Sequence, residues 1–336
     1  MRKFLTFFTL ACAARCWAAT PGAVVHTEQV RAELLAYAPR GLAGGEPAWL
    51  GLALAHQPHW HSYWKNPGDS GMATTLRWAL PAGVTAGEIE WPTPQRLPQG
   101  PLMNHGYEGD LLLPVALTLA QGFREATLQV RLHAEWLVCK DVCIPQSGDF
   151  ALSIPARALR PVHLEYAPAF AHARAAMPQA IAGASAVARV DASALAVSVT
   201  GLPPAWQGQA VEFFAEDAGV FDHAAAIEQS WDGSQLALRV PLSAQRSESP
   251  STLRAVLVAA AAQRGRAGIA LSLKLQGGWP MPGLVQPPQS VQAGSASRPV
   301  PPRPGSIGLS ATGLVLLGFV VLALGLGLAL LWARRR

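Results

Sequence analysis

Between residues 24 and 155 the apolar positions either alternate with polar ones or cluster in short runs, at 49–55, 76–80, 111–119, 126–136 and 150–154. Gly, Pro, Asn and Asp fill the gaps between them. A period of two over stretches this short, broken by turn residues, predicts strands rather than helices. Their regular spacing suits an antiparallel sandwich. A second block, 161–276, opens with a helical pattern over 167–180 and continues with alternating stretches at 186–199, 210–214, 236–240, 253–258 and 269–275. It predicts another, Ala-rich sandwich, and it contains no cysteine.

The pattern changes at both ends. Residues 277–306 are dense in Pro, Gly, Ser and Gln, a composition that builds no core and favours an extended linker. Residues 307–333 follow without a single charge, and about 20 apolar residues suffice to cross the hydrocarbon of a bilayer, so a transmembrane helix is expected there. At the other end Arg2 and Lys3 precede an apolar stretch over 4–14, and Cys16 and Ala18 put small residues third and first before a bond that signal peptidase can cut. This is the pattern of a signal peptide, 1–18, cleaved after Ala18.

Charge then fixes an orientation and removes a class of partner. The formal net charge is +5, but three of the 26 Lys and Arg lie in 1–18 and three more are Arg334, Arg335 and Arg336. The remaining 20 face 21 Asp and Glu, so the body carries −1 and offers no basic surface for nucleic acid. Clustered Arg after an apolar span stays on the cytoplasmic side, which places the body outside the cytoplasm.

Of the four cysteines, Cys12 and Cys16 fall in the leader, leaving Cys139 and Cys143 alone in the body. In an oxidising compartment such a pair is expected to form a disulfide at least part of the time, and a tight turn brings residues at this spacing within bonding reach. A five-residue loop gains only roughly 2 kcal/mol from closure, so the bridge is a poor staple. Three readings stay open: a redox-active pair, a local structural bridge in a tethered interaction sandwich, and a copper or other metal site combining the thiols with His56, His59 and His61. His133, Glu135 and Lys140 flank or interrupt the pair and can bias thiolate stability. The aromatic residues Trp60, Tyr63, Trp64, Trp78, Trp91 and Trp136 are expected to fill one core, and Asn66-Pro67-Gly68-Asp69 is a strong turn signal.

Four ordered motifs carry a further resemblance: Trp60-His61-Ser62-Tyr63-Trp64-Lys65-Asn66-Pro67-Gly68-Asp69-Ser70-Gly71, Glu90-Trp91-Pro92-Thr93-Pro94, Gly106-Tyr107-Glu108-Gly109, and Trp136-Leu137-Val138-Cys139-Lys140-Asp141-Val142-Cys143-Ile144-Pro145. Together they resemble the periplasmic N-terminal domain of DsbD-type thiol-disulfide interchange proteins, in particular the ScsB branch, the suppressor of copper sensitivity proteins. The resemblance implies an immunoglobulin-like domain for the first block; with the second block's strand pattern the expected fold is all-β, two immunoglobulin-like sandwiches in tandem ahead of the C-terminal transmembrane helix. It also implies a redox-active pair at Cys139 and Cys143, no bound cofactor, and a place at the periplasmic face of the inner membrane. Its expected partners are a thioredoxin-like or DsbD-type electron donor and oxidised periplasmic client proteins. In the family a polytopic carrier and a thioredoxin-like domain follow this module. This sequence shows neither, so either a separate electron donor or a chain shortened from a longer one is expected.

Overall fold

The computed structural model describes residues 22–156, 160–260 and 267–280. The signal peptide, the transmembrane helix and most of the linker expected from the sequence lie outside the described residues. Among those described, no helix is long and apolar enough to cross a membrane.

The first β-unit holds eleven strands: β1 (Val24–His26), β2 (Val30–Tyr37), β3 (Ala48–His56), β4 (His61–Gly68), β5 (Thr75–Ala79), β6 (Val84–Ile89), β7 (Gln95–Gln99), β8 (Leu102–Glu108), β9 (Asp110–Leu119), β10 (Thr127–Cys139) and β11 (Cys143–Pro155). They form one sheet in the order β1-β2-β3-β9-β6 and another in the order β11-β10-β4-β8-β7, with β5 also on β10. One face of each sheet is apolar, and the two faces meet in a single core. Leu50, Leu52, Leu54 and Leu113 come from the first sheet, and Leu128, Val130, Leu132, Ala134, Trp136 and Val138 from alternate positions of β10. Burying side chains of this size is the main favourable term of the fold, at about 1.5–3 kcal/mol each.

A second β-unit follows: β12 (Ser185–Val190), β13 (Ala194–Thr200), β14 (Val211–Ala215), β15 (Glu228–Asp232), β16 (Gln235–Pro241), β17 (Leu253–Ala259) and β18 (Ile269–Gln276). The alternation over 186–199 is two strands, since Asp191, Ala192 and Ser193 turn the chain between β12 and β13. All seven form one hydrogen-bonded sheet, β14-β17-β18-β12-β13-β16-β15, rather than two separate ones. Its continuity comes from β12, which pairs antiparallel with β13 and parallel with β18. Leu195, Val197, Leu236, Leu238, Leu257 and Leu271 share its core.

The single α-helix among the described residues, α1 (Ala167–Ala175), is shorter than the 167–180 pattern and does not join the second core. Met177-Pro178 follows it, and proline disfavours helical backbone in the residue before it. Phe170 and Ala173 pack instead on Leu35 and Leu112, on the outer face of the first sheet. Beyond the helix Thr93 joins the units, donating its hydroxyl to the Ala176 carbonyl at 2.8 Å and accepting the Gly268 N–H at 2.8 Å.

Candidate functional site: the strand-end disulfide

β10 and β11 form a long hairpin in register throughout, so that its last pair sets Cys139 opposite Cys143. The two are joined as a disulfide, with α-carbons 4.1 Å apart. Successive side chains of a strand point to opposite faces. With Val138 in the core, Cys139 must therefore point outward, and Cys143 lies beside it. Their exposure nevertheless differs sharply: Cys139 is only 1% exposed, whereas Cys143 is open to solvent.

The cover on Cys139 comes from β4. For most of its length β10 has β5 as its second neighbour, through pairs from Arg131 to Glu135, but at its tip β4 takes that place and His61 pairs with Cys139. His61 and Tyr63 share the outward face of β4, while Trp64 turns into the core. The Tyr63 hydroxyl donates to Cys139 Sγ at 2.8 Å and lies 3.6 Å from Cys143 Sγ. Tyr63 is itself only 1% exposed, because the chain returns over it. Gly71 lies against its ring, where a β-carbon would come within 2.2 Å of Cε1, and Ala73 bridges to the Tyr63 backbone. Burial raises the Tyr63 pKa, so the phenol remains a proton donor at and above neutral pH.

His61 packs edge-on to Tyr63, with ring centroids 5.3 Å apart. Burial lowers its pKa, opposed by the charge of Glu108, and its Nε2 has no hydrogen-bond partner among the described residues. The neutral ring adds no charge to the sulfurs. His56 donates its Nδ1–H to the Gly109 carbonyl at 2.6 Å and is also held below its ordinary value, first by burial. His59 lies in the exposed turn between β3 and β4. Only His61 of the three histidines adjoins the sulfurs, and among the described residues no group of three or more His, Cys, Asp or Glu side chains is placed to hold a metal ion.

Two of the charged neighbours read from the sequence, His133 and Glu135, are engaged in ion pairs. His133 bonds Asp149 at 2.7 Å, which raises its pKa, and Glu135 pairs with Arg77 at 2.8 Å. Lys140 is exposed in the turn, and its carbonyl accepts from Gln99 Nε2 at 2.8 Å, tying the β7–β8 hairpin to the cysteine turn. Trp64 and Trp136 fill the core as expected, and Trp60, Trp78 and Trp91 pack at its edge. Tyr63 departs from that expectation and contacts sulfur. A cavity of about 510 Å³ lies between α1 and the first sheet, lined in part by Leu35, Ala53, Leu112 and Ala173, and neither cysteine reaches it.

Of the four large hydrophobic residues that stand exposed among the described residues, three gather at this same end and the fourth, Leu164, lies in the turn before α1; Val142, 61% exposed, lies in the cysteine turn itself. Leu102 pairs with Gln99, whose side chain bonds that turn, and Met72 follows the glycine on Tyr63.

Fold and site together define a β-sandwich module presenting a disulfide at a strand end, one sulfur open and the other covered by a phenol. Residues 34–155 match the family described as thiol:disulfide interchange protein DsbD, N-terminal, so this part of the chain is similar to a DsbD-type N-terminal domain. The N-terminal periplasmic domain of ScsB from Proteus mirabilis superposes with a TM-score of 0.55 at 16% identity, covering 74% of this chain and 95% of that one. The conserved domain protein from Bacillus anthracis aligns at 8% identity over 70% of this chain and 75% of that one, with a TM-score of 0.24, too low to bear on the fold. No curated protein matches the chain.

Proposed function

We propose that the chain is a periplasmic, membrane-anchored thiol-disulfide interchange module that passes reducing equivalents to envelope proteins through Cys139 and Cys143. The observation that carries this reading is the asymmetry of the pair: an exposed Cys143 Sγ beside a buried Cys139 Sγ that accepts a hydrogen bond from Tyr63. Attack by a donor's thiolate is directed to the accessible sulfur. A bond forms between the donor sulfur and Cys143, the Cys139–Cys143 bond breaks, and its electron pair leaves on Cys139, where the Tyr63 O–H already points. A second thiolate of the donor then attacks its own sulfur in the mixed disulfide, releasing Cys143 as a thiolate and leaving the donor oxidised. Solvent protons complete the dithiol. Delivery to an oxidised client runs the same steps in reverse, with Cys143 attacking and Cys139 resolving.

The exposed Val142, Leu102 and Met72 around the turn support docking of a protein partner there, since apolar groups left out at a functional site mark an interaction surface. A thioredoxin-like donor fits that requirement, because it brings a thiolate and a second, resolving thiol. Anchoring rests on the uncharged stretch 307–333 and the three arginines after it. The two β-units are read as tandem immunoglobulin-like domains, 24–155 and 161–276. Equilibration with glutathione buffers tests the central reading. A redox-active pair has a potential above about −300 mV, and a value well below that makes it a structural bridge.

A further inference from the structure

We infer that the second β-unit positions Tyr63 over the disulfide, by gripping the chain segment 64–73, and so sets how readily the pair is reduced. The inference rests on the reading of Cys139 and Cys143 as redox-active.

The segment begins as a defect in the β4–β8 ladder. Tyr63 pairs with Gly106 and the next pair is Gly68 with Asn104, so four residues, 64–67, stand against His105 alone. Residues in excess of their partners are pushed out of the ladder. Trp64 goes to the core, with Phe214 of β14 edge-on to it at 6.3 Å. Lys65 and Asn66 reach the second unit. Lys65 Nζ meets Glu216 at 2.7 Å, and Arg254 meets the same carboxylate at 3.1 Å. Asn66 is fully buried and donates to the carbonyls of Ala215 at 2.8 Å and Asp217 at 3.1 Å, while its own oxygen accepts the Gly68 N–H at 3.1 Å.

From there the chain doubles back. Gly68 has φ of 87°, and a β-carbon there would sit 2.4 Å from the Met103 carbonyl, so this reversal requires glycine. Asp69 accepts the Met103 N–H at 2.8 Å with one oxygen and, at 3.4 Å, the His223 N–H of the second unit with the other. Ser70 donates to Asn104 through both its N–H and its hydroxyl. The segment ends where it began, with Gly71 on the ring of Tyr63 and Ala73 bridged to its backbone. Both ends of the loop therefore meet at Tyr63, and between them Lys65, Asn66 and Asp69 are held by the other unit.

A loosened loop no longer fixes the phenol 2.8 Å from Cys139. That contact matters more after reduction than before it, because a thiolate is a far stronger acceptor than a disulfide sulfur. Releasing the grip therefore disfavours the reduced pair.

The test compares the full chain with Asn66→Ala, Lys65→Met and Asp69→Asn, each alone and combined with Tyr63→Phe, in glutathione redox buffers. The expected result is a three- to tenfold shift of the equilibrium toward the disulfide in Asn66→Ala and smaller shifts in the other two. None of these shifts is to survive in the Tyr63→Phe background, where the phenol is already gone. Lys65→Met and Asp69→Asn keep the test open if Asn66→Ala does not fold. Equilibria unchanged in every folded variant, or shifts equally large without the phenol, overturn the inference and leave the segment as plain interface. If the unaltered pair cannot be reduced at all, it is the redox reading that falls.

Discussion

Replacing Tyr63 by Phe removes one oxygen and little else. The ring still fills its place beneath Gly71, and the lost group is the donor 2.8 Å from Cys139 Sγ. In the oxidised protein that bond goes to a weakly accepting sulfur, so folding stability is expected to fall by no more than about 1 kcal/mol. In the reduced protein the same donor faces a thiolate, and hydrogen bonds to charged groups contribute about 1.5–3 kcal/mol. At 1.36 kcal/mol per pKa unit the loss raises the Cys139 thiol by roughly one to two units. Cys139 is also the leaving group when Cys143 is attacked, and a less acidic leaving thiol departs more slowly, so reduction by a dithiol is expected to slow by roughly an order of magnitude. The assay is alkylation of the reduced protein across pH, read residue by residue by mass spectrometry, with the rate of reduction followed in parallel. A Cys139 titration and a reduction rate both unchanged in Tyr63→Phe would refute the role given to the phenol.

Gly71→Ala places a methyl into the Tyr63 ring at a φ of 108°, and is expected to destabilise the fold by about 2 kcal/mol or more and to open Cys139 to alkylation; denaturant melts and labelling of the reduced protein check it. Val142→Asp puts a charge into the exposed apolar turn, and is expected to slow reduction by a thioredoxin-like protein several-fold while leaving reduction by a small dithiol unchanged. Stability is expected to fall on acidification below about pH 6.5, the ordinary value for histidine. Buried His105 has its pKa lowered to about 3, chiefly by burial and then by the charges of His223 and Arg96, so between those values the unfolded chain binds the extra proton. Its share is up to about 1.4 kcal/mol per pH unit, and melts of His105→Phe from pH 7 to 4 are expected to show a shallower loss.

The parts of this molecule readable from sequence are those whose burial is decided within one strand. Leu128 through Trp136 alternate cleanly, and the strand they predict is present, extended by three residues to Cys139. The extension escaped the pattern because Leu137, Val138 and Cys139 are all apolar, and only the hairpin register tells which faces the core. β4 was hidden for the opposite reason. His61, Ser62 and Asn66 are polar yet buried, through neighbours about 40 to 150 positions away in sequence, and the pairing of residues 64–67 is disrupted by the bulge. The cysteine pair was legible as a pair, from count and spacing alone. Its cover was not: the contact of Tyr63 with sulfur requires an outward-facing position on β4, a β10 tip that reaches it, and a glycine turn folded back on the ring. Asn66-Pro67-Gly68-Asp69 does turn the chain, and its side chains also hold the second unit, which no local signal discloses.

Trapping of partners by single-cysteine variants in the native envelope tests the exchange chemistry most directly. Cys139→Ala keeps the exposed sulfur and lacks the resolving one, so it is expected to accumulate mixed disulfides through Cys143 on non-reducing gels, whereas Cys143→Ala, left with a buried sulfur, is expected to trap little or nothing. The opposite preference would contradict the assignment of the attacked sulfur. If neither variant traps a partner and the intact pair also resists reduction by a thioredoxin-like donor, the bridge is structural and the interchange function is wrong.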